Sequence, residues 1–101
     1  MAGKIVLNID KAIYNEGEYV KLKVDYETLN PKQTMHVVIL DPSEKEVFSA
    51  DQYINSQKGN YSTVFRFNTK QWSVSGRYKA TAWDQEGTRK ELYFQFKSKN
   101  P

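Results

Sequence analysis

Apolar residues recur at every second position along almost the whole chain. Ile5, Leu7 and Ile9 open the pattern. Val20, Leu22, Val24 and Tyr26 then alternate with Lys21, Lys23 and Asp25, as in a strand with one face in a core and the other in water. Met35 to Leu40 is nearly all apolar and stops at Asp41-Pro42, where a proline ends ladder pairing. Val47 to Ile54 is a weaker run, expected near a sheet edge. Tyr61, Thr63, Phe65 and Phe67 alternate with Ser62, Val64 and Arg66; Tyr78, Ala80 and Ala82 follow, and Leu92, Phe94 and Phe96 close the set. Turn signals separate these runs at Asn15-Glu16-Gly17, Asn30-Pro31, Asp41-Pro42-Ser43, Lys58-Gly59-Asn60, Ser75-Gly76 and Glu86-Gly87. No window shows helical periodicity. Asn68 to Val74 is too short and polar to supply the helix of a five-stranded oligonucleotide-binding barrel. The pattern predicts an all-β, seven-stranded antiparallel sandwich filling one domain over residues 1–101.

The chain has 101 residues, enough for one hydrophobic core. It contains no cysteine, which excludes disulfides, thiolate metal sites and cysteine nucleophiles. Fifteen Lys and Arg against twelve Asp and Glu give a net charge of +3, spread over most strands rather than gathered in a tail. That distribution argues against a nucleic-acid partner. No stretch approaches the roughly 20 apolar residues of a membrane span, so membrane insertion is not expected. Met1-Ala2-Gly3 lacks the apolar core of a signal peptide and reads as an appended start, making this a piece of a longer protein.

Ser75-Gly76-Arg77-Tyr78 carries the sharpest fold signal. A Gly two residues before a Tyr, followed by small residues at alternate positions, opens strand F of an immunoglobulin-like sandwich, and the Tyr hydroxyl ties back to the chain upstream as a tyrosine corner. In antibody domains a disulfide cysteine stands two residues after that Tyr; here Ala80 holds the position. Trp72, just before the corner, is expected to plug the end of the sandwich.

Further motifs point the same way. Asp10-Lys11-Ala12-Ile13-Tyr14-Asn15-Glu16-Gly17-Glu18-Tyr19-Val20 resembles the D-K-x-x-Y-x-x-G-E-x-V approach to strand B in macroglobulin-type immunoglobulin-like domains and in the repeats of archaeal and bacterial cell-surface proteins. Leu40-Asp41-Pro42 with Glu46-Val47, Gly59-Asn60-Tyr61-Ser62-Thr63-Val64-Phe65 and Trp72 through Ala82 resemble later motifs of those families, in the same order. Ser43-Glu44-Lys45 replaces their usual glycine-containing hairpin tip. The resemblance implies a spacer, interaction or adhesion module, not an enzyme. Protease trapping is not implied, because the bait region and thioester of macroglobulins lie in other domains.

Little in the chain suggests chemistry. His36 is the only histidine, has no partners at catalytic spacing and falls on the outer phase of its strand. The carboxylates Asp84, Glu86 and Glu91, and likewise Asp41, Glu44 and Glu46, flank turns, where solvated charge is the simpler reading than Ca²⁺ ligation. No metal or cofactor site is expected. If Tyr78, Ala80 and Ala82 face inward, Lys79, Thr81 and Trp83 face outward; the same phase puts His36, Val38, Leu40 and Tyr93 outside. Strands C, F and G are neighbours in this fold, so Val38, Leu40, Trp83 and Tyr93 form a candidate apolar interaction patch. A strand carrying Phe48, or a loop, could instead cover it. Asn60-Tyr61-Ser62 is the one glycosylation sequon, making Asn60 a candidate modification site.

The expected protein is therefore a non-catalytic structural or protein-interaction module of an archaeal or other prokaryotic cell-surface or secreted protein, partnered by neighbouring domains, another protein or a glycan. Alternatives are a carbohydrate-binding module stacking sugars on Trp83, Tyr93 or Tyr53, a macroglobulin-like piece of a protease inhibitor, a nucleic-acid-binding sandwich with Lys21, Lys23, Arg66 and Arg77 on one face, and a designed sandwich.

Overall fold

The computed structural model describes residues 3–28, 30, 32–54 and 60–99. Among them the alternating runs form eight strands: β1 (Lys4–Ile9), β2 (Ile13–Asn15), β3 (Tyr19–Glu27), β4 (Gln33–Leu40), β5 (Glu46–Ile54), β6 (Asn60–Asn68), β7 (Gly76–Trp83) and β8 (Arg89–Lys97). They make two sheets, ordered β1-β3-β6 and β2-β8-β7-β4-β5. Pro31 and Lys58-Gly59, from two of the expected turns, lie outside the described residues, as do Met1 and Ala2.

Seven strands match the seven apolar runs, but the described residues form eight, and not all of them pair antiparallel. The extra strand is β2, which runs parallel to β8 with Ile13 opposite Gln95 and Tyr14 opposite Phe96. Its cause is local. The Asp10 carboxylate accepts hydrogen bonds from the Tyr14 hydroxyl and, at 3.3 Å, from the Lys21 N–H. These bonds bend the chain between β1 and β2, so its first edge pairs with β3 in one sheet and with β8 in the other. Tyr14 is thereby fully buried, edge-on to Phe94 at 5.7 Å.

The inward phase holds on every long strand. Val20, Leu22, Val24 and Tyr26 from β3, Met35, Val37 and Ile39 from β4, Tyr78, Ala80 and Ala82 from β7, and Phe94 and Phe96 from β8 build one buried core. Trp72 is its hub: the indole stacks on Tyr78 with ring centroids 4.7 Å apart and meets Phe96 edge-on at 5.3 Å, with Phe67 at 5.8 Å. Ala80 itself is fully buried in this core.

The corner before β7 is built as its residues require. The Tyr78 hydroxyl donates to the Val74 carbonyl oxygen at 2.5 Å. Gly76 sits at φ 139°, and a Cβ there would lie 2.8 Å from Pro42 Cγ, so neither the angle nor the space admits a side chain. The hairpin tip between β4 and β5 lacks glycine, and Glu44 adopts φ 65° instead. Asp41 makes this tolerable by accepting the N–H groups of Ser43 and Lys45 at 2.8 and 2.9 Å on one carboxylate oxygen.

Tyr78→Phe is expected to lower unfolding free energy by about 1 kcal/mol, the net worth of one hydrogen bond. Urea denaturation of the two proteins checks this, and an equally stable Phe variant would remove the corner hydrogen bond as a stabilising element.

Candidate functional site

Cross-strand register decides which outward residues meet. On the outer face of the five-stranded sheet, His36 lies opposite Trp83 and Trp83 opposite Arg89. One step along, Val38, Thr81 and Glu91 form the next row; Leu40, Lys79 and Tyr93 form the third. Val38, Leu40 and Trp83 are each half-buried, and Tyr93 is 48% exposed. The four expected patch residues therefore share one face, but not one contiguous surface. Val38 and Leu40 are successive outward residues of β4, whereas Trp83 and Tyr93 stand two rows apart with Thr81, Lys79 and Glu91 between them.

Trp83 is held from two sides. His36 stacks on it with centroids 5.2 Å apart and planes tilted by 28°, and the Arg89 guanidinium lies 5.7 Å over its ring. His36 Nδ1 in turn sits 2.6 Å from Asp51 of β5, which fixes the imidazole plane against the indole. Tyr53, 54% exposed, lies on the same outer face opposite Thr34, one register step beyond the His36–Asp51 pair. Tyr53 and Trp83 thus flank His36 across the sheet. The only histidine is a packing partner of the candidate tryptophan, a role its isolation in sequence does not reveal.

Tyr93 belongs to a second cluster. The Arg77 guanidinium lies 4.5 Å over its ring, and its hydroxyl donates to Glu91 at 3.3 Å. Tyr93 and Arg77, with Leu40, Asp41, Glu44 and Lys79, line a shallow depression of about 270 Å³. Thr81, between the two clusters, is buried although it points outward, and its hydroxyl has no hydrogen-bond partner among the described residues. Phe48 does not cover this face: it pairs with inward-facing Ile39 and stacks on Phe67 at 4.4 Å, inside the sandwich.

The turn carboxylates have structural employment. One Asp84 oxygen accepts the Tyr26 hydroxyl at 2.6 Å; the other accepts the N–H groups of Glu86 and Thr88 at 2.9 and 2.8 Å. Burial raises the Asp84 pKa, but these hydrogen bonds outweigh it and hold the carboxyl below its usual value. Gln33 stitches the same end, donating to Thr28, to the Asn30 carbonyl and to Glu86 at 2.7–2.8 Å. Among the described residues no three His, Asp or Glu side chains are placed to share a metal ion. Lys21, Lys23 and Arg66 point from the outer face of the three-stranded sheet, while Arg77 lies on the opposite sheet, so the four cations do not form one surface. Asn60 is exposed at the start of β6.

No family model matches the chain, and no curated protein does. Solved structures share its fold. One is the Pseudomonas fluorescens alkylpurine DNA glycosylase AlkC bound to DNA containing an abasic site analog, similar at TM-score 0.65 and 14% identity over 94% of this chain and 30% of that one. The CARDB domain of a Pyrococcus furiosus protein, in complex with di-metal ions, is similar at TM-score 0.61 and 11% identity over 94% of this chain and 90% of that domain. The Yersinia pseudotuberculosis adhesin InvE is similar at TM-score 0.56 and 13% identity, again over 94% of this chain but only 32% of the adhesin. The chain thus spans about the length of the archaeal domain and about a third of the other two proteins.

The Tyr26–Asp84 pair sets a pH dependence. A depressed Asp84 pKa contributes stability that is complete above the unfolded value of about 3.9 and is lost as pH falls through the folded value. Burial and the Asp84 hydrogen bond push the Tyr26 phenol up to about 12, and burial and the Asp41 charge do the same for Tyr78, so stability also falls as pH rises from about 10 to 12. Asp84→Asn is expected to cost about 1–3 kcal/mol at neutral pH and to flatten the acid side of the profile. Denaturation midpoints measured across pH check both, and an unchanged acid slope would contradict the assignment.

Proposed function

We propose that this domain is a non-catalytic interaction module of a cell-surface or secreted protein, and that it meets its partner through the outer face of the five-stranded sheet with Trp83 as anchor. The observation that carries this reading is a tryptophan left half-exposed on a sheet face and held rigidly by stacked His36 and overlying Arg89. Aromatic residues fixed in this way lose little entropy on binding and dominate interface energies. The fold shared with an adhesin and an archaeal CARDB domain supports the surface location, as does the resemblance of the Asp10–Val20 and Trp72–Ala82 motifs to archaeal surface repeats.

The partner we favour is a protein surface: a neighbouring domain of a longer chain or a separate protein. A glycan is a second reading with its own support, because Tyr53, 54% exposed on the same face, offers a ring for sugar stacking. Exposed Asn60 suits attachment of an N-linked glycan on the other sheet.

Trp83→Ser is expected to keep the fold, costing about 1 kcal/mol or less in urea melts through loss of the histidine stack. Binding is read by surface plasmon resonance against the flanking segments of the parent gene, expressed separately, and on a glycan array. The variant should lose about 2 kcal/mol of whichever affinity the parent shows, near thirtyfold. Unaltered binding by Trp83→Ser, a variant that unfolds, or a parent domain that binds neither target would contradict the reading.

A further inference from the structure

The free edge of β6 is unlike the other edges of the sandwich. Asn60–Asn68 is the outer strand of the three-stranded sheet and pairs with β3 through nine consecutive residues without a register shift. On its other side no strand pairs with it among the described residues, and no turn or loop backbone hydrogen bond reaches it. Every second N–H and C=O along nine residues therefore faces outward. Sheet edges are ordinarily blunted by bulges, prolines, lysines or inward charges. β6 has none of these; its one charge, Arg66, points off the face. By contrast β5 carries Glu46 and Asp51 beside a bulge at Ile39/Leu40, β2 is three residues long, and β1 is six residues long and begins with Lys4. Beneath the β6 edge, Phe65 and Phe67 are only half-buried against Phe48, at 6.1 and 4.4 Å.

The strand is also complementary to itself. When two β6 strands run antiparallel about a two-fold axis at Val64, all nine residues overlap. Tyr61 then meets Phe67 of the second copy and Thr63 meets Phe65 on the core side. Ser62 meets Arg66, Asn60 meets Asn68 and Val64 meets itself on the outer side. Each pair joins residues of the same face, so the pleats stay in phase, and each arginine stands opposite a serine. Moving the axis to Arg66 would shorten the overlap and set two guanidinium groups against each other. We propose that the domain self-associates through this edge, joining its three-stranded sheet to that of a second copy in one continuous six-stranded sheet. Backbone hydrogen bonds hold the pair, and the open side of the Phe48–Phe65–Phe67 cluster is covered at the same time. An interface built on one strand pair falls in the weak class, about 1,200 Å² or less, so the dimer is a concentration-dependent one.

Sedimentation velocity over a series reaching millimolar protein tests this. The parent should shift reversibly from monomer toward dimer, with hydrogen-exchange protection of β6 amides rising in step. Val64, 40% exposed on the outer face, is replaced in two variants, Val64→Lys and Val64→Glu, whose folding is verified by thermal melts. Each puts like charges across the axis and should weaken self-association about tenfold or more, whereas an equimolar mixture should recover it. Trp83→Ser, on the other sheet, should leave it unchanged, which separates this proposal from the one above. A parent that stays monomeric throughout, variants that dimerise like the parent, a mixture that fails to recover association, or loss of the dimer in Trp83→Ser would each overturn it.

Discussion

Everything in this domain depends on the packing of Trp72 against Tyr78. With no cysteine, nothing covalent ties the two sheets, and dispersion and apolar burial must do it alone. Trp72 enters from the segment before the corner, lies flat on Tyr78 and touches Phe67 from one sheet and Phe94 and Phe96 from the other. The Tyr78 hydroxyl then returns to Val74, two residues past the indole, closing the loop that holds the tryptophan in place. Gly76 is the residue that lets this loop pass Pro42. Side-chain contacts alone thus join the two sheets here.

A core closed in this way leaves the surfaces free to differ. The outer face of the five-stranded sheet carries a clamped tryptophan and a tyrosine under an arginine. The outer face of the three-stranded sheet carries basic residues near the Tyr19 end of β3, where Lys21 lies directly opposite Arg66, and Asp25 and Glu27 near the other end. The ends are closed by polar networks built on Asp41, Asp84 and Gln33, which turn possible ligand groups into turn supports. The sequence itself thus distributes the roles: carboxylates hold the ends and aromatics hold the middle.

Period-two alternation carries most of the fold, because a strand half in water must alternate and a misphased one would bury lysine. Hence the inward sets of β3, β4, β7 and β8, and the tyrosine corner, are legible from residues alone. β2 is not, because three residues are too few for a period, and its parallel pairing follows from the bend at Asp10, a tertiary bond to Tyr14 and Lys21. The candidate face is legible in phase but not in register. Periodicity says that Trp83 and Tyr93 both point outward; only the pairing of β7 with β8 places Lys79, not Trp83, beside Tyr93. The same limit hides the roles of His36, Arg77 and Arg89, whose partners lie on other strands. A signal for Arg89 existed in its place just past a tight Asp84–Thr88 turn, which makes Trp83 and Arg89 natural cross-strand neighbours.

Native-state hydrogen exchange in dilute protein tests the central claim most directly, since it reads where stability is concentrated. If the Trp72–Tyr78 wedge is what closes the sandwich, the amides of β7 and of β8 around Phe94 should exchange only through global unfolding. The outward-facing amides of β6 should open far below that limit. Exchange of the β7 amides by local opening, with the slowest amides found in β6 instead, would contradict the account.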